Sequence, residues 1–191
     1  MNLMRRAALV LALAGAVELA GGCAASNFDF STLERPQRAA EMDAYQAFVG
    51  KWTWEAKMVY PESAQNDWTG TAEWDWTLDK RCLTGRMSAK SPHAEFETQG
   101  VWSRHPKSGK YIWWMFNNWG YPQQGTAKYD EEENDWSMKY KSVGLDGSTS
   151  YGEYELDMID GDTIAWTMIE WADGLHLFKK IELDGTYKRV K

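Results

Sequence analysis

The sequence predicts an all-β fold of about ten antiparallel strands, and three features indicate it. From residue 51 onward, apolar and polar residues alternate with a period of two, which places every second side chain on one face of a strand. Short turn sequences, such as Asp160-Gly161 and Asp173-Gly174, separate these runs. Because no helical pattern lies between the runs, the connections are hairpins. The apolar faces must then be buried, either inside a closed barrel or between two stacked sheets.

The composition is that of a soluble globular protein with one domain. The chain has 191 residues, of which 43% are hydrophobic and 26% are charged, and this length favours one domain over two. The net charge of −7 argues against a nucleic acid as partner. Two cysteines cannot build a disulfide framework.

Residues 1–22 predict a secretory signal peptide of the lipoprotein type. A basic pair precedes the apolar run Ala7–Val17, which is too short to span a bilayer as a helix. The small residues before Cys23 resemble the lipobox of bacterial lipoproteins, in which this cysteine is acylated, although Leu19 stands four places before it. The protein is therefore predicted to be an outer-membrane lipoprotein with an N-terminal lipid anchor. The alternative is ordinary cleavage, which yields a periplasmic or secreted protein.

Residues 23–35 are predicted to form a tether, and residues 36–191 the folded domain. The domain begins with a predicted helix over Pro36–Val49, since proline favours the first turn of a helix and Gly50 ends the pattern. The apolar face of this helix comprises Met42, Tyr45, Ala47, Phe48 and Val49.

The runs of period two define the strands that follow the helix. Turn sequences mark most strand ends, and Asp184-Gly185 predicts a turn after Leu183. The predicted strands are Trp52–Tyr60, Trp68–Leu78, Leu83–Lys90, Glu95–Arg104, Tyr111–Trp119, Thr126–Tyr129, Trp136–Lys141, Glu153–Met158, Thr163–Trp171 and Leu175–Leu183.

A Gly-x-Trp motif, Gly50-Lys51-Trp52, stands at the start of the first strand and directly after the helix. With Leu83-Thr84-Gly85-Arg86 and Tyr187-Lys188-Arg189, it resembles the lipocalin and fatty-acid-binding-protein (calycin) superfamily, and in particular a family of bacterial secreted calycin-like proteins. The resemblance implies a closed up-and-down antiparallel β-barrel of about 8–10 strands with a short N-terminal helix. It implies no reaction.

The resemblance also implies how one end of the barrel closes. In the superfamily, a basic residue from the last strand stacks on the tryptophan of the motif. Lys188 or Arg189 is placed to do this here, and Arg189 is the better stacking partner for Trp52. Gly50, Trp52 and Arg189 are therefore interpreted as structural.

Tryptophan, tyrosine and methionine dominate the face predicted to point inward. These side chains either fill the barrel or line a lumen for a small hydrophobic or aromatic ligand. A buried indole N–H needs an acceptor, so that plain filling would be easier with aliphatic residues. The predicted lumen residues are Trp54, Met58, Trp74, Trp76, Trp114, Phe116, Trp136, Tyr140, Tyr154 and Trp166.

The segment around residues 111–124 suggests an alternative, a carbohydrate-binding accessory protein. Adjacent Trp113 and Trp114 must point to opposite faces of a strand, so at least one lies outside the lumen or under the helix. Beyond them, flat aromatic rings stand beside neutral amides, the mixture that holds sugars. This predicted rim comprises Asn117, Asn118, Trp119 and Tyr121. A polar hairpin with aromatic packing beneath it explains the same residues.

No catalytic motif is present. There is no nucleophile elbow, phosphate loop or Ser-His-Asp arrangement, and the three histidines lack metal-ligand spacing, so we predict no metal and no cofactor. His176 lies where haem-binding relatives of this barrel carry an axial histidine, but their glycine-rich signature is absent. An isomerase or hydratase using a lumen carboxylate stays open, because function resides in the site and not in the fold.

Overall fold

The computed structural model of the chain describes residues 34–62 and 67–191, and these contain a closed barrel of ten antiparallel strands. The strands are β1 Gly50–Tyr60, β2 Trp68–Thr77, β3 Cys82–Lys90, β4 Glu95–Arg104, β5 Tyr111–Asn117, β6 Pro122–Asp130, β7 Asp135–Val143, β8 Thr149–Asp160, β9 Thr163–Trp171 and β10 Lys179–Arg189. Each strand pairs with its sequence neighbours, and β10 pairs with β1. The predicted all-β barrel is confirmed, and the stacked-sheet alternative is excluded.

The barrel belongs to a unit that spans Arg38–Lys191. The preceding unit, Met1–Gln37, is described only at residues 34–37. The predicted signal peptide, the predicted lipidation site Cys23 and most of the predicted tether lie outside the described residues. Within the two described ranges, no helix has the length and apolar character needed to cross a bilayer.

The N-terminal helix is a 3₁₀ helix over Ala40–Phe48 and is shorter than predicted. Its buried side chains are Met42, Tyr45 and Phe48, one at every third residue. This spacing matches the three residues per turn of a 3₁₀ helix, because every third side chain then lies in one row. The helix starts later than predicted, since Ala39 is still extended at φ −67° and ψ 131°.

The predicted stacking of Arg189 on Trp52 is present. The guanidinium carbon lies 4.1 Å from the centre of the indole ring, and Arg189 also donates hydrogen bonds to the carbonyls of Val49 and Ala47 at the end of the helix. The indole N–H of Trp52 donates to the Phe48 carbonyl at 2.8 Å. Gly50 has φ +127°, and a Cβ there would lie 2.8 Å from a guanidinium nitrogen. The helix is thereby fixed across one end of the barrel.

Inside the barrel, large rings lie against glycines on neighbouring strands. A Cβ added to Gly152 would lie 2.1 Å from the Tyr140 ring, and one added to Gly70 would lie 2.5 Å from the Trp54 ring. Glycine thus makes room for rings that would otherwise collide, and it lets the strands bend into a barrel. The cross-strand pairs are Trp54 with Gly70, Trp74 with Gly85, Trp113 with Gly125, Tyr140 with Gly152 and Trp166 with Gly185.

This pairing explains why the bounds of the predicted strand Leu175–Leu183 are wrong. Asp184-Gly185 is not a turn: Gly185 lies inside β10, where the Trp166 ring occupies the space of a Cβ. The turn lies earlier, because the Asp173 carboxylate accepts hydrogen bonds from the backbone N–H groups of Leu175, Leu177 and Phe178. Residues 172–178 therefore form the connection between β9 and β10.

Candidate functional site

Aromatic side chains at the helix end of the barrel form a packed group, the helix-side cluster. Tyr45 of the helix stacks on Trp136 with ring centres 4.8 Å apart, and Phe48 meets Trp74 at 5.9 Å. Trp52 and Trp136 are each only 1% exposed. This half of the interior is filled by the protein itself. The cluster comprises Tyr45, Phe48, Trp52, Trp74, Tyr111, Tyr129 and Trp136.

A second group, the mouth-side cluster, lies further from the helix. Its ring centres follow one another at 5.7 Å from Trp113 to Tyr140, 5.4 Å to Tyr154, 6.3 Å to Trp166 and 6.1 Å to Trp54. These five residues define the cluster. The rings come from β1, β5, β7, β8 and β9, so the cluster forms a floor that spans much of the barrel.

Methionines lie on the barrel wall between this floor and the barrel end opposite the helix, which we call the mouth. Met58, Met87, Met115 and Met168 are half-buried on β1, β3, β5 and β9. Trp68 and Phe96 are also half-buried near the mouth and pack together with ring centres 5.4 Å apart. Unbranched methionine side chains adapt to irregular shapes, so this wall suits an apolar guest better than a rigid aliphatic lining.

A polar cluster of Tyr140, Ser150, Glu170 and Lys180 interrupts the apolar mouth. The Tyr140 hydroxyl donates to one carboxylate oxygen of Glu170 at 3.0 Å. The Lys180 ammonium lies 3.5 Å from the other and donates to the Ser150 hydroxyl at 2.8 Å. The Glu170 side chain is only 14% exposed. An inward carboxylate is thus held by two donors.

The protonation of Tyr140 follows from its surroundings. Burial, with the neighbouring Tyr154 and Glu170, raises the pKa of Tyr140 well above its usual value. Burial and Glu170 also raise the pKa of Tyr154. Because both phenols therefore stay neutral near pH 7, Tyr140 acts as a hydrogen-bond donor to Glu170.

Several polar atoms of the mouth-side half are buried without a hydrogen-bond partner. They are the indole N–H groups of Trp54, Trp68, Trp113 and Trp166 and the amide oxygen of Gln123. Buried polar groups are normally paired, so each such atom calls for an explanation, and a ligand is one. On the helix side, Trp136 Nε1 and Tyr45 Oη also lack a partner.

The structure divides the predicted lumen residues. Trp54, Tyr140, Tyr154 and Trp166 belong to the mouth-side cluster, and Met58 to the methionine wall. Trp74 and Trp136 belong to the helix-side cluster, and Trp76 donates from its indole to the helix residue Gln46 at 2.9 Å. The predicted binding role of the last three therefore conflicts with their packing around the helix.

The prediction that Trp114 and Phe116 line the lumen is wrong. They are 40% and 58% exposed on the outside of β5, whereas Trp113 is fully buried. Trp113 faces inward because it pairs with Gly125, whose missing side chain leaves space for the indole. On this strand it is the odd-numbered residues that point into the barrel.

The predicted sugar-binding rim is engaged in shaping its own loop. The Asn117 side-chain oxygen accepts the backbone N–H groups of Trp119 and Tyr121 at 3.0 Å, and the Asn118 oxygen accepts that of Glu97 at 3.1 Å. The Trp119 indole N–H donates to the Glu95 carbonyl. These atoms organise the β5–β6 connection, so the geometry gives the carbohydrate hypothesis no added support.

Two shallow grooves lie on the outer face of the barrel. They have volumes of about 670 and 520 Å³ and share Thr71, Ser88 and Glu97 in their walls. The hydroxyls of Thr71 and Ser88 bond to each other at 2.9 Å. The grooves are open to solvent, and polar side chains dominate their walls, together with Trp54 and Phe96 in the first and Trp52 and Met87 in the second. A mainly polar wall is a weak site for an apolar ligand.

Glu170, Lys180 and Ser150 were not predicted from the sequence as site residues. Glu170 lies four residues after Trp166 on the same face of β9, so simple alternation would have placed it inside. Lys180 has no such signal, because it is the extra residue of a bulge: Lys179 pairs with Trp171 and Ile181 with Glu170. Bulges redirect side chains and cannot be located from alternation alone.

The three histidines lie apart from one another in metal-ligand terms. Among the described residues, no three His, Cys, Asp or Glu side chains are placed to share a metal ion. His176 is exposed and stacks on Trp171 with ring centres 4.1 Å apart, outside the mouth-side cluster. Cys82 is a free, half-buried thiol.

Comparisons with known proteins support the fold alone. No family model matches the chain, and no curated protein matches it. Among solved structures, Rv2717c from M. tuberculosis is 14% identical with a TM-score of 0.60, over 81% of this chain and 100% of that one. The S-type phycobiliprotein lyase CPES from Guillardia theta is 12% identical with a TM-score of 0.51, over 82% and 99%. The chain thus shares a closed β-barrel fold with these two structures.

Proposed function

We propose that the protein binds a small apolar or aromatic molecule at the mouth, above the mouth-side cluster. One observation carries the proposal: Trp54, Trp113 and Trp166 bury their indole N–H groups without a partner in the half of the barrel that faces the mouth. These nitrogens are covered by protein atoms, and Trp54 Nε1 lies over Gly70. A guest with acceptor atoms would satisfy these donors once the rings turn toward it, and its body would lie against the ring faces.

The helix-side half is not part of the proposed site. Its rings are packed against the helix, so a guest would have to displace Tyr45 or Phe48. The half-buried methionines near the mouth offer a wall that adapts without such displacement.

Catalysis by the interior carboxylate is less well supported. An isomerase or hydratase would need a carboxylate free to take or give a proton. Both oxygens of Glu170 already face donors, from Tyr140 and Lys180. This arrangement favours a binding role over a catalytic one.

The test is a fluorescence titration with the neutral aromatic ketone 2-acetylnaphthalene, whose carbonyl oxygen is an acceptor for the indole N–H groups. Binding should quench tryptophan emission and saturate at one probe per chain. Trp54→Phe should weaken binding about tenfold, because the floor loses aromatic area and an N–H donor. Trp114→Phe, which changes an indole on the outer surface, is the matched control. The absence of any saturable binding, or equal losses in both variants, would rule the proposed site out.

We also propose that the protein is an envelope lipoprotein acylated at Cys23, on the strength of the N-terminal sequence. Mass spectrometry of protein isolated from membranes should find an acyl modification on an N-terminal Cys23. Cys23→Ser should move the protein out of the membrane fraction. A mature chain that begins after Cys23 would show that ordinary cleavage is correct instead.

A further inference from the structure

We infer that the mouth selects an aromatic anion, a flat molecule whose carboxylate or sulfonate is held by the Lys180 ammonium beside Ser150. The inference rests on the proposed function, since it specifies the ligand class of the same site. Three structural features lead to it: the bulge that turns Lys180 toward the barrel, the compensated charge of Glu170, and the excess of donors in the floor.

The first feature is the position of Lys180. As the extra residue of the β10 bulge, it directs its ammonium to Ser150 at 2.8 Å and to Glu170 at 3.5 Å. An ammonium has three donors, of which one bonds to Ser150, while the contact with Glu170 is an ion pair. The Lys180 side chain is 42% exposed, so a third donor is available to a guest that enters from the mouth.

The second feature is the state of Glu170. Tyr140 donates to one of its oxygens and Lys180 faces the other. A cationic ligand would have to replace Lys180 in order to reach this carboxylate, whereas an anionic ligand adds a partner to Lys180 and leaves the pair intact. The nearby Asp146 carboxylate is bound within its own loop, to the backbone N–H of Ser148 at 2.9 Å.

The third feature is the chemistry of the floor. Its unpartnered groups are the N–H donors of Trp54, Trp113 and Trp166, against a single acceptor on Gln123. A guest rich in acceptor oxygens fits this inventory, and a guest rich in donors does not. The surrounding indole and phenol faces favour a planar body over an alkyl chain.

Three probes with one naphthalene body test the inference. They are 2-naphthoate, 2-naphthylmethanol and 2-naphthylmethylammonium, and tryptophan quenching gives the Kd of each. We expect 2-naphthoate to bind about tenfold more tightly than the alcohol, the value of one charge-assisted hydrogen bond. The ammonium probe should bind most weakly. The advantage of 2-naphthoate should shrink as the salt concentration rises.

Two variants assign the preference to the polar cluster. Lys180→Met should bring the Kd for 2-naphthoate to that of the alcohol and leave the alcohol unchanged. The matched control is Lys179→Met, because Lys179 instead pairs with Glu182. Glu170→Gln should tighten 2-naphthoate binding, since the charge of Lys180 is then uncompensated. This last result would not follow from a merely structural role of Glu170.

The outcomes separate the inference from the proposed function. Equal binding of all three probes, or tightest binding of the ammonium probe, would overturn the inference while the binding site stands. Loss of the preference in Lys179→Met as well as in Lys180→Met would also overturn it. If none of the three probes binds, the proposed function fails and the inference fails with it.

Discussion

The two halves of the barrel interior use the same residue types differently. Near the helix, donors on Trp52, Trp76 and Tyr111 are bound by acceptors from Phe48, Gln46 and Glu41. Near the mouth, the indoles of Trp54, Trp113 and Trp166 find no partner and stand below half-buried methionines. The helix therefore supplies acceptors to three donors of one half, where Trp136 Nε1 and Tyr45 Oη still lack a partner, and it supplies none to the three indoles near the mouth. The role of a tryptophan in this barrel is therefore judged from its hydrogen-bond partner as well as from its burial.

The largest expected effect is on the helix side. Trp52→Ala should lower the free energy of unfolding by about 3–5 kcal/mol, the usual range for a buried tryptophan. The variant loses ring packing, the hydrogen bond to Phe48 and the contact with Arg189. Urea unfolding followed by circular dichroism measures the loss.

Trp114→Ala is the control for this variant, because its ring lies on the outer surface of β5. It should lower the free energy of unfolding by less than about 1 kcal/mol. Comparable losses at Trp52 and Trp114 would contradict the assignment of the helix-side cluster as the filled core.

Replacing a glycine that lies under a ring should reduce stability less than Trp52→Ala does, and it should also weaken ligand binding at the mouth. Gly152→Ala would place a Cβ 2.1 Å from the Tyr140 ring, so the ring must move. We expect a loss of about 1–3 kcal/mol in the free energy of unfolding, as for other overpacked sites. Displacing Tyr140 also breaks its bond to Glu170, so binding of the naphthalene probes should weaken.

Gly161→Ala serves as the matched control for the glycine variant. No atom lies within 4 Å of a Cβ at this position, so both stability and probe binding should stay within error of the original protein. A Gly152→Ala protein that folds and binds normally would show that the ring of Tyr140 is not held in place by the cross-strand pair.

The alternation of the sequence was informative where polar residues occupy every second position. In β1 and β2 it identified the inward face, because Thr53 and Glu55 alternate with Trp52 and Trp54. In β5 it could not, since tryptophan and other apolar residues fill both faces of Tyr111–Phe116. There the cross-strand partner decides the orientation, and the partner of Trp113 is known only once the register is known.

The candidate site was predictable only in part. Its aromatic floor follows from alternation in β1, β7, β8 and β9, and Glu170 could have been added by the same rule. Lys180 could not, because a bulge sets its direction. The division of the interior into two halves could not be predicted from the sequence either. The helix residues that pack into one half are distant in the chain from most of the rings that they contact.

The smallest expected effect, counted per residue, is the loss of stability at high pH that buried tyrosines cause. Burial raises the pKa of Tyr45, Tyr140, Tyr154 and Tyr187 above the ordinary value of 10.0. Their contribution to stability is present below pH 10. It is lost as the pH rises toward the folded-state values, because the unfolded chain then releases protons that the folded chain keeps.

Each of these phenols should lower the free energy of unfolding by about 1.4 kcal/mol per pH unit above pH 10. Urea titrations between pH 9 and 11 measure the slope, and phenolate absorbance reports the ionisation itself. Tyr45→Phe and Tyr140→Phe should each reduce the slope by one tyrosine's share. A saturating aromatic anion should raise the stability of the protein across this range, and Tyr140→Phe should diminish that gain while Tyr45→Phe should not. The opposite pattern would place the guest beside the helix and reverse the assignment of the two halves.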